Sequence, residues 1–269
     1  MTQRRFYWMM LASCTLVWGC ATWSSSSSPP ILPTNNVVRE QLIIYSDFEL
    51  PEHHRLLEEL TAQRGTLSTK LGLATSDEPI HVYLFPTADK FKVFLKAQYP
   101  EFPDRRAFFV ESDTRLMVYA YWGDRVAEDL RHEVSHGYLH SIVPNLPLWL
   151  DEGLAEYFEV PRGNRGLNRP HIEELTTALA GDWRPDLRRL ESLRAAGEMT
   201  QLDYAESWAW VHFMLETTPE HLDFLKNYLQ VLRTDAVTAE PLSNQFRRLH
   251  LDYERRLVDY VNWLSQNVR

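Results

Sequence analysis

Two rhythms of apolar residues divide this chain. The stretches "QLIIYSDF" (residues 41–48) and "PIHVYLFP" (79–86) are short β-branched and aromatic runs closed by polar residues or Pro, the pattern of strands. Between them, "PEHHRLLEELTAQRGTLSTKLG" places Leu56, Leu57, Leu60 and Leu67 on one helical face, with Pro51 near its start. "TADKFKVFLKAQY" predicts a second helix with Thr87 as its cap. "RRAFFVES" and "TRLMVYAYW" predict a hairpin around "ESDT". From residue 124 onward the spacing is nearly all helical and Gly is scarce. Helices are predicted near 124–142, 147–159, 170–180, 186–196, 203–216, 219–233 and 244–266. A small sheet with helices, followed by a helical half, is an α+β arrangement.

Composition narrows the picture modestly. Across 269 residues, 44% are hydrophobic and 24% charged, which suits a globular domain with a sizeable core. The net charge is −9, and no stretch clusters Lys and Arg on one face beside exposed aromatics, so no nucleic-acid partner is expected. The N-terminus changes the picture more. "MTQRR" is basic, Phe6 to Trp18 is uncharged and apolar, and "GC" and "ATWSSSSSPP" follow. This looks like a bacterial lipoprotein signal over residues 1–20, with Cys20 as the lipidated residue. Cys14, after "LAS", is the less favoured choice because it leaves too short an apolar run. An uncleaved anchor over Phe6 to Trp23 is the alternative. Residues 21–36, rich in Ser, Pro and Asn, read as a flexible tether, and residues 37–269 as one domain. The expected location is the cell envelope, lipid-anchored and facing the periplasm or exterior. Both cysteines lie in the targeting segment, which excludes thiol catalysis and Cys-ligated zinc in the folded part.

The chemistry concentrates in "AEDLRHEVSHGYLHSIV". Val126, Leu130, Val134 and Tyr138 recur at four-residue steps as a buried stripe, and His132, Glu133, His136 and His140 lie off it. His at i and i+4 project from one side of consecutive turns, so two imidazoles can converge on one ion, and Glu133 can reach water held there. A catalytic zinc needs three protein ligands. A metzincin-type completion requires Gly and a further ligand where Leu139 and Ile142 stand. His140 lies about 12 Å along the helix axis from His132, too far to share its ion. It is expected to act behind the ligands or at the surface. A glutamate on the following helix remains, and "LPLWLDEGLAEYFEV" offers Glu152, 16 residues after His136.

"HEVSH", fifteen residues and then the Glu of "WLDEGLAEYF" resemble the gluzincin clan of zinc peptidases. The chain especially resembles the bacterial peptidase MA-like proteins, over about residues 128–160 and more coarsely over 42–216. The resemblance implies a zincin-like fold in which His132, His136 and Glu152 bind Zn2+ and Glu133 is the general base. It implies a peptide or protein substrate. It makes Tyr204, in "LDYAESWAWVHFM", the candidate to stabilise the oxyanion, with Tyr157 and His212 competing. It also implies that the strand "RLMVYAY" pairs by its edge with an extended substrate. Asp151 is expected either to orient a ligand imidazole or to serve as an ordinary first-turn acid. Glu156 is expected as a hydrogen-bond acceptor near the site or a surface acid, and less readily as a ligand. The remaining histidines, His53, His54, His81, His171, His221 and His250, read as surface or boundary residues. A zincin-fold lipoprotein acting as a non-catalytic scaffold or binding module is the alternative function, against which the presence of Glu133 speaks. The absence of a G-x-M-E-N-like element favours an endopeptidase over an aminopeptidase.

Overall fold

The computed structural model describes residues 35–268 apart from 52, 237 and 238. The segment expected as a signal, with both cysteines, and most of the stretch expected as a tether lie outside the described residues. β1 (Asn35–Arg39) begins within the last two residues of the stretch expected as a tether and pairs antiparallel with β2 (Leu42–Ser46). Backbone pairing along β2 outweighs the weak strand preference of the two asparagines.

The described residues form one five-stranded sheet in the order β1-β2-β3-β5-β4. β3 (Ile80–Phe85) runs parallel to both β2 and β5 (Arg115–Tyr121), and β4 (Ala107–Ser112) closes the expected hairpin onto β5. Strand periodicity sorts the two faces. Ile80, Val82 and Leu84 lie beside Leu116, Val118 and Ala120 on one face, in the main core with α1 (Arg55–Leu71) and α3 (Val126–His140). Tyr83 and Phe85 point to the other face, where α2 (Ala88–Gln98) adds Phe91, Phe94 and Leu95. There Tyr45, Tyr83 and Tyr119 stack across three strands, with centroids 4.9 and 5.0 Å apart. The strand expected to offer an edge, β5, is flanked by β3 and β4; the edge strands are β1 and β4, and β4 is the one beside β5.

α3 is buried nearly all round. The predicted stripe is buried, but so are Glu133, Ser135, His136 and Gly137. Gln63 of α1 clamps it by donating to the Arg131 carbonyl and the Ser135 hydroxyl, at 2.9 and 2.6 Å. The helical half then comprises α4 (Leu148–Phe158), α5 (Arg169–Leu179), α6 (Leu187–Ser192), α7 (Gln201–Glu216) and α8 (Pro219–Asp235). The segment 186–196 forms a shorter helix than expected. The segment 244–266 divides into α9 (Leu242–Leu249) and α10 (Tyr253–Asn267), separated by an extended His250.

α4 lies flat against α7. A Cβ on Gly153 would stand 2.5 Å from the Ser207 carbonyl oxygen, so this close approach requires glycine. Glu152, the neighbouring residue, is thereby held at a fixed depth. Trp208 and Trp210 are fully buried in α7, as core residues rather than ligands.

Candidate metal centre

Contacts between α3 and α4 run in opposite order along the chain. His136, late in α3, meets Asp151, early in α4, while His132 meets Glu159 at the far end of α4. The helices are therefore antiparallel. This places Nε2 of His132, Nε2 of His136 and Oε2 of Glu152 in a triangle with sides of 3.2, 3.4 and 3.7 Å. His136 and Glu152 are buried, and His132 is half-buried at the cleft wall.

The far side of each imidazole is held by a carboxylate. Nδ1 of His132 donates to Glu159 at 3.0 Å, and Nδ1 of His136 donates to Asp151 at 2.9 Å. Carboxylates accept only, so the proton of each neutral ring sits on Nδ1 and both Nε2 lone pairs face the triangle. Two lone pairs and a carboxylate oxygen at this distance call for a cation between them. The titration of both rings reflects the same demand. Burial would lower the pKa of His132, but its bonds to Glu152 and Glu159 raise it well above the usual value. Burial likewise opposes protonation of His136, and Asp151 and Glu152 overcome it. His132, His136 and Glu152 together could hold a metal ion.

Glu133 faces the cleft beside this triangle. It is 9% exposed, and no described residue donates a hydrogen bond to it. Burial raises its pKa, against the neighbouring histidines and Arg105, which lower it. The cleft is about 630 Å³ and is lined by His132 and Glu133 on α3 and by the approach to β4 opposite. Tyr204, at the start of α7, is half-buried nearby. Burial and the charge of Glu152 raise its pKa, and Arg105 opposes them.

The other expected participants resolve one by one. His140 does not join the triangle. Its Nε2 meets Asp151 at 3.0 Å and its Nδ1 meets Glu111 at 2.6 Å, and despite burial these carboxylates push its pKa up to about 10. Asp151 thus receives bonds from two histidines and is an orienting residue, more than a first-turn acid. Glu156 accepts from His171 at 2.8 Å and from Asn168. Tyr157 and His212 are turned away: Tyr157 donates to Glu216, and His212 bonds Tyr260 and the Arg165 carbonyl. His171 and His221 are buried, not surface residues.

Several partners were not foreseen. Glu159 carried a sequence signal, since Glu152, Glu156 and Glu159 repeat at i, i+4 and i+7 on one helical face. Asn168 caps α5 and donates to both Glu156 and Glu159, a link that only tertiary structure makes. Phe109 of β4 stacks on His136 with centroids 5.8 Å apart, which brings the open sheet edge next to the ligands.

Residues 127–235 match the model of a family described as a protein of unknown function, DUF1570. The match runs from the second residue of α3 to the end of α8. It contains the triangle, Glu133 and Tyr204, and leaves out the sheet. No curated protein matches the chain.

Proposed function

We propose that this chain is a zinc-dependent metallopeptidase of the gluzincin type, tethered at the cell envelope and acting on peptide or protein substrates. His132, His136 and Glu152 are its ligands, Glu133 is the general base, and Tyr204 stabilises the oxyanion. The observation that carries the reading is the ligand triangle with the unbonded Glu133 carboxylate beside it, His132 and Glu133 both lining an open cleft. Tetrahedral zinc with bonds of 2.0–2.1 Å holds its ligand atoms about 3.3 Å apart. The observed sides of 3.2, 3.4 and 3.7 Å accept that ion with small adjustments. Two imidazoles and one carboxylate also leave a fourth position open, as catalytic zinc requires.

When bound, zinc supplies a Lewis acid that acidifies water and polarises a carbonyl. The protein supplies the rest. Glu133 accepts the proton of the attacking water on a carboxylate oxygen and passes it to the leaving amine. The pKa raised by burial makes it a better base than a solvated carboxylate. Tyr204 donates its phenolic hydrogen to the developing oxyanion. The open edge of β4 offers backbone N–H and C=O groups to an extended substrate, and Phe109 keeps that edge against His136. Attachment is assigned to the N-terminal segment through Cys20, with Cys14 second. Among the described residues no helix is long and apolar enough to cross a membrane.

The test pairs metal content with turnover. Purified protein is expected to carry about one zinc per chain. Glu133→Gln should keep that metal and lose at least about 10²-fold in cleavage of a peptide library. Equal cleavage by the two proteins, or cleavage by neither, would leave the scaffold reading in its place.

A further inference from the structure

The cleft is lined by cations as well as acids. Lys92, Arg105, Arg106 and Arg125 all line it. Three of these charges are already answered by the protein. Arg106 forms a bidentate pair with Asp129, at 2.7 to 3.0 Å, which pins the start of β4 to the first turn of α3. Arg125 pairs with Glu128, and Lys92 lies 3.6 Å from Asp104. Arg105 differs. It is exposed at the cleft, and no carboxylate among the described residues forms an ion pair with it.

We propose that Arg105 is a substrate-binding residue that receives a carboxylate of the substrate close to the bond being cut. The inference rests on the peptidase reading for the word substrate and on the cleft alone for the anion. A guanidinium presents a planar fork of donors that matches a carboxylate in two parallel bonds, and charge-assisted bonds of this kind are the strong ones. Glu133, Glu156 and Glu159 also line the cleft and repel an anion placed beside them. Arg105 is therefore where a negative group can settle. Its position two residues before β4 sets that group at the mouth of the edge along which a peptide would lie. The carboxylate can come from an Asp or Glu side chain or from a chain terminus, and the two sources are separable.

The experiment reads binding rather than cleavage. The zinc-loaded chain carrying Glu133→Gln is titrated by calorimetry with a blocked tetrapeptide containing Asp at its third position and with its Asn twin. A second pair compares a tripeptide ending in a free carboxylate with its amide. One acidic peptide should bind about tenfold more tightly than its neutral twin, and the pair that shows this identifies the source. Adding Arg105→Gln should erase the preference, and Arg105→Lys should retain part of it. No preference in either pair, or a preference that survives Arg105→Gln, overturns the proposal. Because turnover is not measured, the two readings fail separately. Preference without hydrolysis by the unsubstituted protein sinks the peptidase, and hydrolysis without preference sinks the role of Arg105.

Discussion

Asp151 braces the candidate metal centre through a single carboxylate. One of its oxygens holds Nδ1 of His136 and the other holds Nε2 of His140, which in turn reaches Glu111 on β4. Asp151→Asn keeps the shape and one acceptor but removes the charge that both histidines lean on. Zinc affinity, measured by competition with a chromogenic chelator, is expected to fall about 10- to 100-fold. Glu191→Gln, remote from the centre and bonded to Ser243, should leave it unchanged. Equal affinities for all three proteins would remove the orienting role. At this scale the sequence was most readable where chemistry sits inside one helical turn. His132, Glu133 and His136 need only α3 to exist, and Glu152 needs only that α4 fold back beside it. Glu159 was visible in the helical spacing and went unread. Arg105, His171 and Asn168 had no local signal, because loop and helix ends distant in sequence bring them to the cleft.

Among the elements, the pairing of α4 with α7 matters most, and Gly153 is its weakest point. Gly153→Ala would push a methyl group into the Ser207 carbonyl, a backbone atom that moves only if the helices part. Destabilisation of about 2 kcal/mol is expected, read as a loss of several degrees in Tm. Zinc affinity should fall with it, since Glu152 is the adjacent residue. An unchanged melt would mean that the helices separate at no cost. Element types were legible wherever apolar periodicity was long, as in α1, α3, α7 and α8. Three features were hidden for physical reasons. β1 is polar and exists because β2 supplies its hydrogen bonds. The break between α9 and α10 interrupts no apolar rhythm. Edge status is a property of strand order, so β4 and β5 look alike in sequence, although the charged, exposed end of β4 at Glu111 hinted at which one faces solvent.

For the molecule as a whole, acid sensitivity can be read from His212. This residue is buried in α7, and it binds Tyr260 of α10 and the Arg165 carbonyl, joining helices to the loop after α4. Since a carbonyl only accepts, Nε2 carries the proton and the ring is neutral. Burial pulls its pKa down to about 4, against about 6.5 in an unfolded chain. The unfolded state therefore takes up a proton first as pH falls. Stability is unaffected above about pH 6.5, declines between 6.5 and 4, and levels off below, at a cost of about 3 kcal/mol. Denaturant midpoints of metal-free protein at pH 7 and pH 5 check this. The loss between them should be smaller in His212→Gln, and equal losses would show that the ring does not drive it.

The row of tyrosines across β2, β3 and β5 has a mechanical consequence. Three rings stacked at about 5 Å brace the sheet from behind, while Arg106 rivets its outer strand to α3. The outer strand is then a rail and not a jaw. A guest chain would slide onto a surface already in its final shape, so little ordering would remain to be done on capture, and the timing of each encounter would be set by diffusion and by the guest's own flexibility.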